Sequence, residues 1–275
     1  MSKSSATETA GASKAADDRG YTADEMMTIA AARMVRNGAA LFVGIGLPSA
    51  AANLARLTHA PDTVLIYESG TIGTKPNVLP LSIGDGELAE TADAVVSVPE
   101  MFAYWLQGGR IDLGFLGAAQ IDRFANINTT VIGVTYRKPK VRLPGAGGAP
   151  EIAGSCGEVL ITLRQNARAF VDKLDFVTSG GFLEGGDSRS RLNMRGKGPT
   201  AVITDLGILT PDPVSKELVL TSIHPGVTVD GVVKATGWPL KVAANPAVTP
   251  PPTTQELTVL RDLQQRTARA HAGQA

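Results

Sequence analysis

Residues 63–70 read TVLIYESG, a short apolar run that stops abruptly at an acidic side chain. A run without alternating polar residues predicts a strand that is buried on both faces, as in the middle of a parallel sheet. Before it, the apolar run Ala39–Val43 leads into a glycine turn at 44–48 and an alanine-rich helix that ends before Pro61. The order strand, glycine turn, helix, strand predicts an α/β unit with parallel strands.

The rest of the chain continues this alternation. Capping boxes, in which a threonine is followed three residues later by a glutamate, occur at Thr22 with Glu25 and at Thr253 with Glu256. Helices are predicted over 22–36, 100–107 and 253–270, and a long loop over 71–91. Further strands are predicted at 94–98, 113–116, 129–134, 158–163, 174–178, 200–205 and 217–221, before prolines 246 and 250–252 end the sheet region. These elements predict a doubly wound α/β fold with an open, mostly parallel sheet flanked by helices.

Composition limits the possible functions. The chain has 275 residues with 26 basic and 26 acidic side chains, so its formal net charge is zero, and we expect no binding to nucleic acid or to anionic membranes. A single cysteine and three scattered histidines predict neither a disulfide nor a metal site, and indicate a cytoplasmic protein. No stretch predicts a signal peptide or a membrane span. We expect residues 1–20 to be a disordered tail and residues 21–275 to be a single domain.

Glu68 is the candidate catalytic side chain. It follows the apolar run at the carboxyl end of a buried strand, where open α/β sheets bind their ligands. A carboxylate at such a position is costly unless it takes part in chemistry or is paired with a cation. The alternative is a structural role, in which Glu68 caps a helix or meets an arginine, and position alone favours neither.

A second candidate is the glycine-rich loop Gly145–Gly148. Its backbone N–H groups can approach a ligand oxygen because glycine has no Cβ, although such loops are more often plain turns. The glycine spacing does not match a dinucleotide fingerprint, which disfavours NAD and ATP. Gln120 follows a predicted strand and is placed to face a substrate. Structural roles are expected for Asn126, Asn128, Cys156 and His224.

Several segments, in order along the chain, resemble the B (β) subunit of family I CoA-transferases, in the glutaconate and 3-oxoacid CoA-transferase branch. The similar segments are GIGLP at 44–48, ESG at 68–70, GGRID at 108–112, LGAAQID at 116–122, the loop at 143–149, HPGV at 224–227 and TGWP at 236–239. They extend over nearly all of the chain except the tail.

This resemblance implies a three-layer α/β fold and a reaction through a glutamyl-CoA thioester on the enzyme. It implies that Glu68 is the nucleophile and that the groups near substrate or CoA are Ser69, Gly70, Gln120, Gly145, Ala146, Gly147 and Gly148. Coenzyme A enters as the acyl-CoA substrate, the acceptor is a small carboxylic or 3-oxo acid, and no permanently bound cofactor is implied. The family's active unit also contains an A (α) subunit, so we expect an α2β2 assembly in which this chain alone is weakly active or inactive.

Two other functions are open at this stage. Relatives of this branch hydrolyse CoA thioesters, open carbon rings or decarboxylate, and in a hydrolase or lyase Glu68 would act as a general base. Those relatives tend to lose the glutamate, so its presence here favours transfer. The second alternative is a non-catalytic subunit that binds a metabolite.

Overall fold

The structure is a computed structural model that describes residues 19–133 and 135–272. Residues 1–18 of the predicted tail therefore lie outside the described residues, as does Val134 of the strand predicted over 129–134. The helices are α1 (Ala23–Ala32), α2 (Leu47–Leu57), α3 (Gly86–Glu90), α4 (Val98–Glu100), α5 (Ala149–Ser155), α6 (Ser188–Arg191), α7 (Val229–Lys234) and α8 (Thr254–His271). A π-helix, Met101–Leu106, follows α4 directly. No helix of the described ranges is long and apolar enough to cross a membrane.

The strands are β1 (Ala40–Phe42), β2 (Val64–Ile66), β3 (Thr71–Ile72), β4 (Ala94–Val95), β5 (Leu113–Gly117), β6 (Gln120–Ile121), β7 (Ile127–Asn128), β8 (Val131–Ile132), β9 (Val141–Arg142), β10 (Glu158–Thr162), β11 (Pro199–Ile203), β12 (Gly207–Pro211), β13 (Leu218–Ile223) and β14 (Lys241–Val248). Ten of them form one sheet in the order β14-β13-β12-β11-β10-β5-β1-β2-β3-β4. The five strands from β11 to β2 are parallel to one another. The predicted open, mostly parallel α/β sheet is confirmed.

The central strands are buried on both faces. Leu41 of β1 and Leu65 of β2 belong to the apolar core under α1, α2 and α8. The next residue of each strand, Phe42 and Ile66, belongs to the core on the opposite face. Because successive strand residues point to opposite faces, two cores sandwich one sheet and produce three layers. The predicted burial of TVLIY on both faces is thereby confirmed.

The two predicted capping boxes are present, and they link α1 to α8. Glu25 accepts from the backbone N–H of Thr22, and its carboxylate also pairs with Arg261 of α8 at 2.6 Å. In the same way, Glu256 of α8 pairs with Arg33 at the end of α1 at 2.7 Å. Each glutamate thus caps the N-terminus of its own helix and forms an ion pair with an arginine in, or directly after, the neighbouring helix.

Some elements differ from the sequence predictions. The strand predicted at 174–178 is wrong, because side chains there bond to neighbouring loops: the Asp175 carboxylate accepts from the Gly133 N–H. The helix predicted to reach residue 36 ends at Ala32, since Met34 and Val35 donate to carbonyls three residues back in a tighter turn. The segment 71–91, predicted as a long loop with one short helical turn, contains the short helix α3 and also the strand β3, which the sequence did not predict.

Two further elements differ. The sequence predicts an ordinary helix over 100–107, but the Gln107 N–H donates to the Phe102 carbonyl five residues back, which makes this segment a π-helix with Met101 and Leu106 fully buried. Strand β14 is missing from the sequence prediction because it contains Pro246, which cannot donate a sheet hydrogen bond. It is tolerated because β14 is the outermost strand.

His224 is buried between two hydrogen-bond partners. Its Nε2–H donates to the Thr204 carbonyl at 2.9 Å, and its Nδ1 accepts from the Thr249 hydroxyl at 3.1 Å. Burial lowers the pKa of His224, against the opposing effects of the Thr204 carbonyl and the Asp205 carboxylate. The predicted role as a hydrogen-bonded loop residue is confirmed.

We expect acid to destabilise the wild-type protein more than the His224→Gln variant. The pKa of His224 is lower in the folded protein than in the unfolded chain, where it is about 6.5, so the unfolded state binds an extra proton at low pH. The stabilisation is fully present above about pH 6.5 and is lost as the pH falls below it. Glutamine keeps a donor and an acceptor but does not titrate. Urea unfolding at several pH values between about 8 and 5 measures the free energy of unfolding of both proteins. The same pH dependence in the two would contradict the prediction.

Candidate active site

Glu68 lies in a tight turn that joins β2 to β3. The Tyr67 carbonyl accepts from the Gly70 N–H at 3.0 Å, so Glu68 and the residue after it occupy the two central positions of the turn. Tyr67 is fully buried, and its hydroxyl lies 2.8 Å from the Ser49 hydroxyl on α2. Burial raises the pKa of Tyr67, which keeps the phenol protonated. The residue before Glu68 is therefore anchored in the core.

Gly70 allows this turn to close against the segment after β4. Its φ is +102°, and a Cβ at this position would lie 2.0 Å from the Val96 carbonyl oxygen. Between it and Glu68, the Ser69 hydroxyl is buried and has no hydrogen-bond partner in the part of the chain that the structure describes. Buried hydroxyls normally have a partner, so Ser69 offers an unused hydrogen-bonding group beside Glu68 in the chain.

A cavity of about 660 Å³ opens at the carboxyl ends of strands β1, β2, β5 and β10. Glu68 is half-buried in its wall and is the only charged side chain among the described residues that line it. Within those ranges its carboxylate makes no ion pair and no hydrogen bond. Among the described residues, Glu68 therefore neither caps a helix nor meets an arginine. This arrangement leaves Glu68 accessible at the edge of the sheet where ligands of such folds bind.

The glycine loop forms the part of the cavity wall next to Glu68. Gly145 and Gly147 adopt positive φ values of +111° and +49°, and a Cβ at either position would meet nothing within 4 Å. Among the described residues, no hydrogen bond is made by the N–H groups of Ala146, Gly147 or Gly148. A Cβ at Gly148 would lie 2.8 Å from Oε1 of Glu68. The loop therefore brings three unused backbone donors to the side of the cavity that Glu68 occupies.

Gln120 lies outside this group. Its Nε2 donates to the Asp175 carboxylate at 3.1 Å, and its Oε1 accepts from the Asn128 amide at 2.8 Å. The side chain is buried and does not line the cavity. The structure thus places Gln120 in a network that fixes β6 and β7, apart from the other predicted site residues.

The other reactive side chains have structural positions. Cys156 is fully buried, and burial raises the pKa of its thiol to about 12. Its Sγ would lie 2.8 Å from a Cβ at Gly114, so the thiol fills the space above that glycine. The predicted packing role of Cys156 is confirmed. Over the described ranges, no group of three or more His, Cys, Asp or Glu side chains is arranged to hold a metal.

Sequence reasoning missed much of the cavity wall. Thr162 ends β10 and Gly117 ends β5, and both line the cavity. The available signal was their position as the last residues of apolar runs, the same signal that identified Glu68. Ile83 also lines the cavity but comes from the segment after β3, and no local pattern predicts how that segment folds back.

Comparisons with known proteins identify the family of this chain. The model of the coenzyme A transferase family matches residues 24–235. The B subunit of 3-oxoadipate CoA-transferase from Pseudomonas knackmussii is 66% identical over 92% of this chain and 97% of its own length. The B subunit of glutaconate CoA-transferase from Acidaminococcus fermentans is 36% identical, over 83% of this chain and 87% of its own.

The fold agrees as well. The crystal structure of glutaconate coenzyme A-transferase from Acidaminococcus fermentans superposes with a TM-score of 0.82, at 33% identity, and covers 89% of this chain and 95% of the matched one. The predicted three-layer fold and the predicted enzyme class are confirmed. The chain belongs to the coenzyme A transferase family.

Proposed function

We propose that this chain is the B subunit of a CoA-transferase that moves CoA from an acyl-CoA to a small carboxylic acid, with Glu68 as the nucleophile. The observation that carries the proposal is the Glu68 carboxylate in the wall of the cavity, unpaired among the described residues and next to the glycine loop, whose N–H groups at 146–148 have no partner there. The 66% identity to one chain of a 3-oxoadipate CoA-transferase supports a 3-oxo acid as the acceptor.

The reaction follows from the carboxylate. Glu68 attacks the carbonyl carbon of the thioester, the C–S bond breaks, and the products are a mixed anhydride and the CoA thiolate. The thiolate then attacks the Glu68 carbonyl carbon, which releases the donor acid and leaves a glutamyl-CoA thioester on the enzyme. The acceptor carboxylate attacks this thioester, which releases the CoA thiolate and gives a second anhydride, between Glu68 and the acceptor. The thiolate then attacks the acyl carbon of the acceptor. The acceptor leaves as its CoA ester, and the Glu68 carboxylate is restored.

The backbone of the glycine loop would stabilise the negative charge that develops during the reaction. Each addition to a carbonyl carbon places negative charge on its oxygen, and fixed N–H donors stabilise such an oxyanion. The N–H groups of Ala146, Gly147 and Gly148 are suited to this role because they have no hydrogen-bond partner among the described residues. The Ser69 hydroxyl is likewise without a partner there, but it is buried and Ser69 does not line the cavity, so its contact with the substrate stays a prediction. Coenzyme A is a substrate in this scheme.

A second chain is needed to complete the site. The lining contributed by this chain is mostly apolar, with Thr129 and Thr162 as polar side chains and Glu68 as the charged one. Over the described residues it contains no cation that would neutralise an acceptor carboxylate or the phosphates of CoA, and buried charges without partners are costly. This supports an A subunit that adds the missing groups, while the α2β2 assembly and the cytoplasmic location stay predictions made from the sequence.

The test is chemical trapping in the co-purified complex of this chain with its A subunit. Incubation with 3-oxoadipyl-CoA, followed by borohydride, should reduce the Glu68 thioester to an alcohol that mass spectrometry finds on the Glu68 peptide. The chain without its partner should give little of this product. Turnover without reduction of Glu68 would contradict the covalent route and favour a hydrolase in which Glu68 acts as a general base.

A further inference from the structure

Gly148 differs from the other glycines of its loop. Gly145 and Gly147 have positive φ values, which explains why those positions lack a side chain. Gly148 has φ −82° and ψ 0°, a conformation that other residues also adopt. Its missing side chain must therefore be explained by space and not by backbone conformation.

Two groups occupy that space. A Cβ at Gly148 would lie 2.7 Å from Cζ of Phe102 and 2.8 Å from Oε1 of Glu68, closer than real Cβ atoms approach other atoms. The tip of the Phe102 ring and the Glu68 carboxylate thus both pack against the bare backbone of Gly148. Phe102 does not itself line the cavity.

Phe102 is held firmly in this position. It belongs to the π-helix, and the Gln107 N–H donates to the Phe102 carbonyl at 2.8 Å, five residues back. The buried side chains of Met101 and Leu106 fix this helix to the core. The Phe102 ring also meets the Phe42 ring edge to face, with 6.1 Å between centroids. π-Helical turns are rare and are frequent at functional sites.

We infer that Phe102 is a positioning residue for the transfer reaction. Its ring sets how closely Gly148, and with it the free N–H groups of the loop, approaches the Glu68 carboxylate. This inference rests on the proposed role of Glu68 as the nucleophile. A rigid ring suits the task because a displacement of about 1 Å between reacting groups can cost about 100-fold in rate.

The test is a double-mutant cycle in the complex of this chain with its A subunit. Phe102→Leu shortens the side chain, so the loop can drift from Glu68, and kcat should fall about 10-fold with KM for acyl-CoA changed less than about twofold. Gly148→Ala forces the loop away and should lower kcat about 100-fold. In the double variant the shorter leucine makes room for the new methyl group, so the loss should stay at or below about 100-fold instead of the additive 1,000-fold.

Controls separate positioning from simple loss of packing. Phe182→Leu makes the same change at a buried phenylalanine outside the cavity around Glu68, and should lower the melting temperature but leave kcat within about twofold of wild type. Additive losses in the cycle, or an unchanged kcat in Phe102→Leu, would overturn the inference about Phe102. Borohydride trapping of wild type tests Glu68 separately. A labelled Glu68 peptide with an additive cycle refutes only the positioning role, whereas an unlabelled one refutes the nucleophile.

Discussion

Replacing Glu68 with glutamine is expected to lower CoA transfer by the complex by at least about 1,000-fold, because the variant loses the nucleophile and keeps only binding and the loop donors. Glutamine has nearly the same shape, and Glu68 makes no ion pair or hydrogen bond among the described residues, so little stability should be lost. Initial rates with 3-oxoadipate as the acceptor, together with thermal unfolding, measure both effects.

The matched control is Glu90→Gln, the same change at an exposed carboxylate on α3, which should leave the rate within about twofold of wild type. Activity of the Glu68→Gln complex within about threefold of wild type would rule out Glu68 as the nucleophile. It would favour the alternative that this chain is a non-catalytic subunit that binds a metabolite. Complete loss of transfer together with retained thioester hydrolysis would show that the glutamate is needed for the covalent step alone, which agrees with the proposal.

Gly70→Ala is expected to have the second largest effect, on stability as well as on rate. Its positive φ of +102° already disfavours a side chain, and the new methyl group would lie 2.0 Å from the Val96 carbonyl oxygen. Because backbone atoms must move to relieve this overlap, we expect a loss of about 3 kcal/mol or more in the free energy of unfolding. The turn that carries Glu68 would move with them, lowering kcat by about 100-fold.

Gly38→Ala provides the comparison for backbone strain alone. Gly38 has a similar φ of +77°, but a Cβ there would meet nothing within 4 Å. That variant should lose about 1 kcal/mol and retain its activity. Denaturant unfolding of both variants at one protein concentration, with assays below the transition, tests the difference. Equal losses in the two variants would show that the contact with Val96 does not matter.

The features that the sequence predicted correctly are those determined by short-range patterns. The apolar run before Glu68 is buried on both faces because successive residues of a central strand point into different cores. The capping boxes at Thr22 and Thr253 depend on residues three positions apart and form as expected. Glu68 was selected because a carboxylate directly after a buried strand is costly unless it is used or paired, and the family resemblance assigned it the role of nucleophile, which stays a prediction.

The features that the sequence did not reveal depend on tertiary contacts. The π-helix places Met101 and Leu106 in the core, and no local pattern predicts its hydrogen bonds between residues five apart. Gln120 follows a strand, as Glu68 does, yet it bonds to Asp175, which is 55 residues further along the chain. The close approach of Phe102 and Glu68 to Gly148 appears only in the folded structure.

Pro246 in β14 has a consequence for how the molecule can associate. β14 is the outermost strand of the sheet, and a proline there presents a ring where a growing sheet would need an amide hydrogen. The missing amide hydrogen disfavours regular extension of the sheet past this strand by a second copy of the chain. A complex that forms on this side would depend more on contacts between side chains.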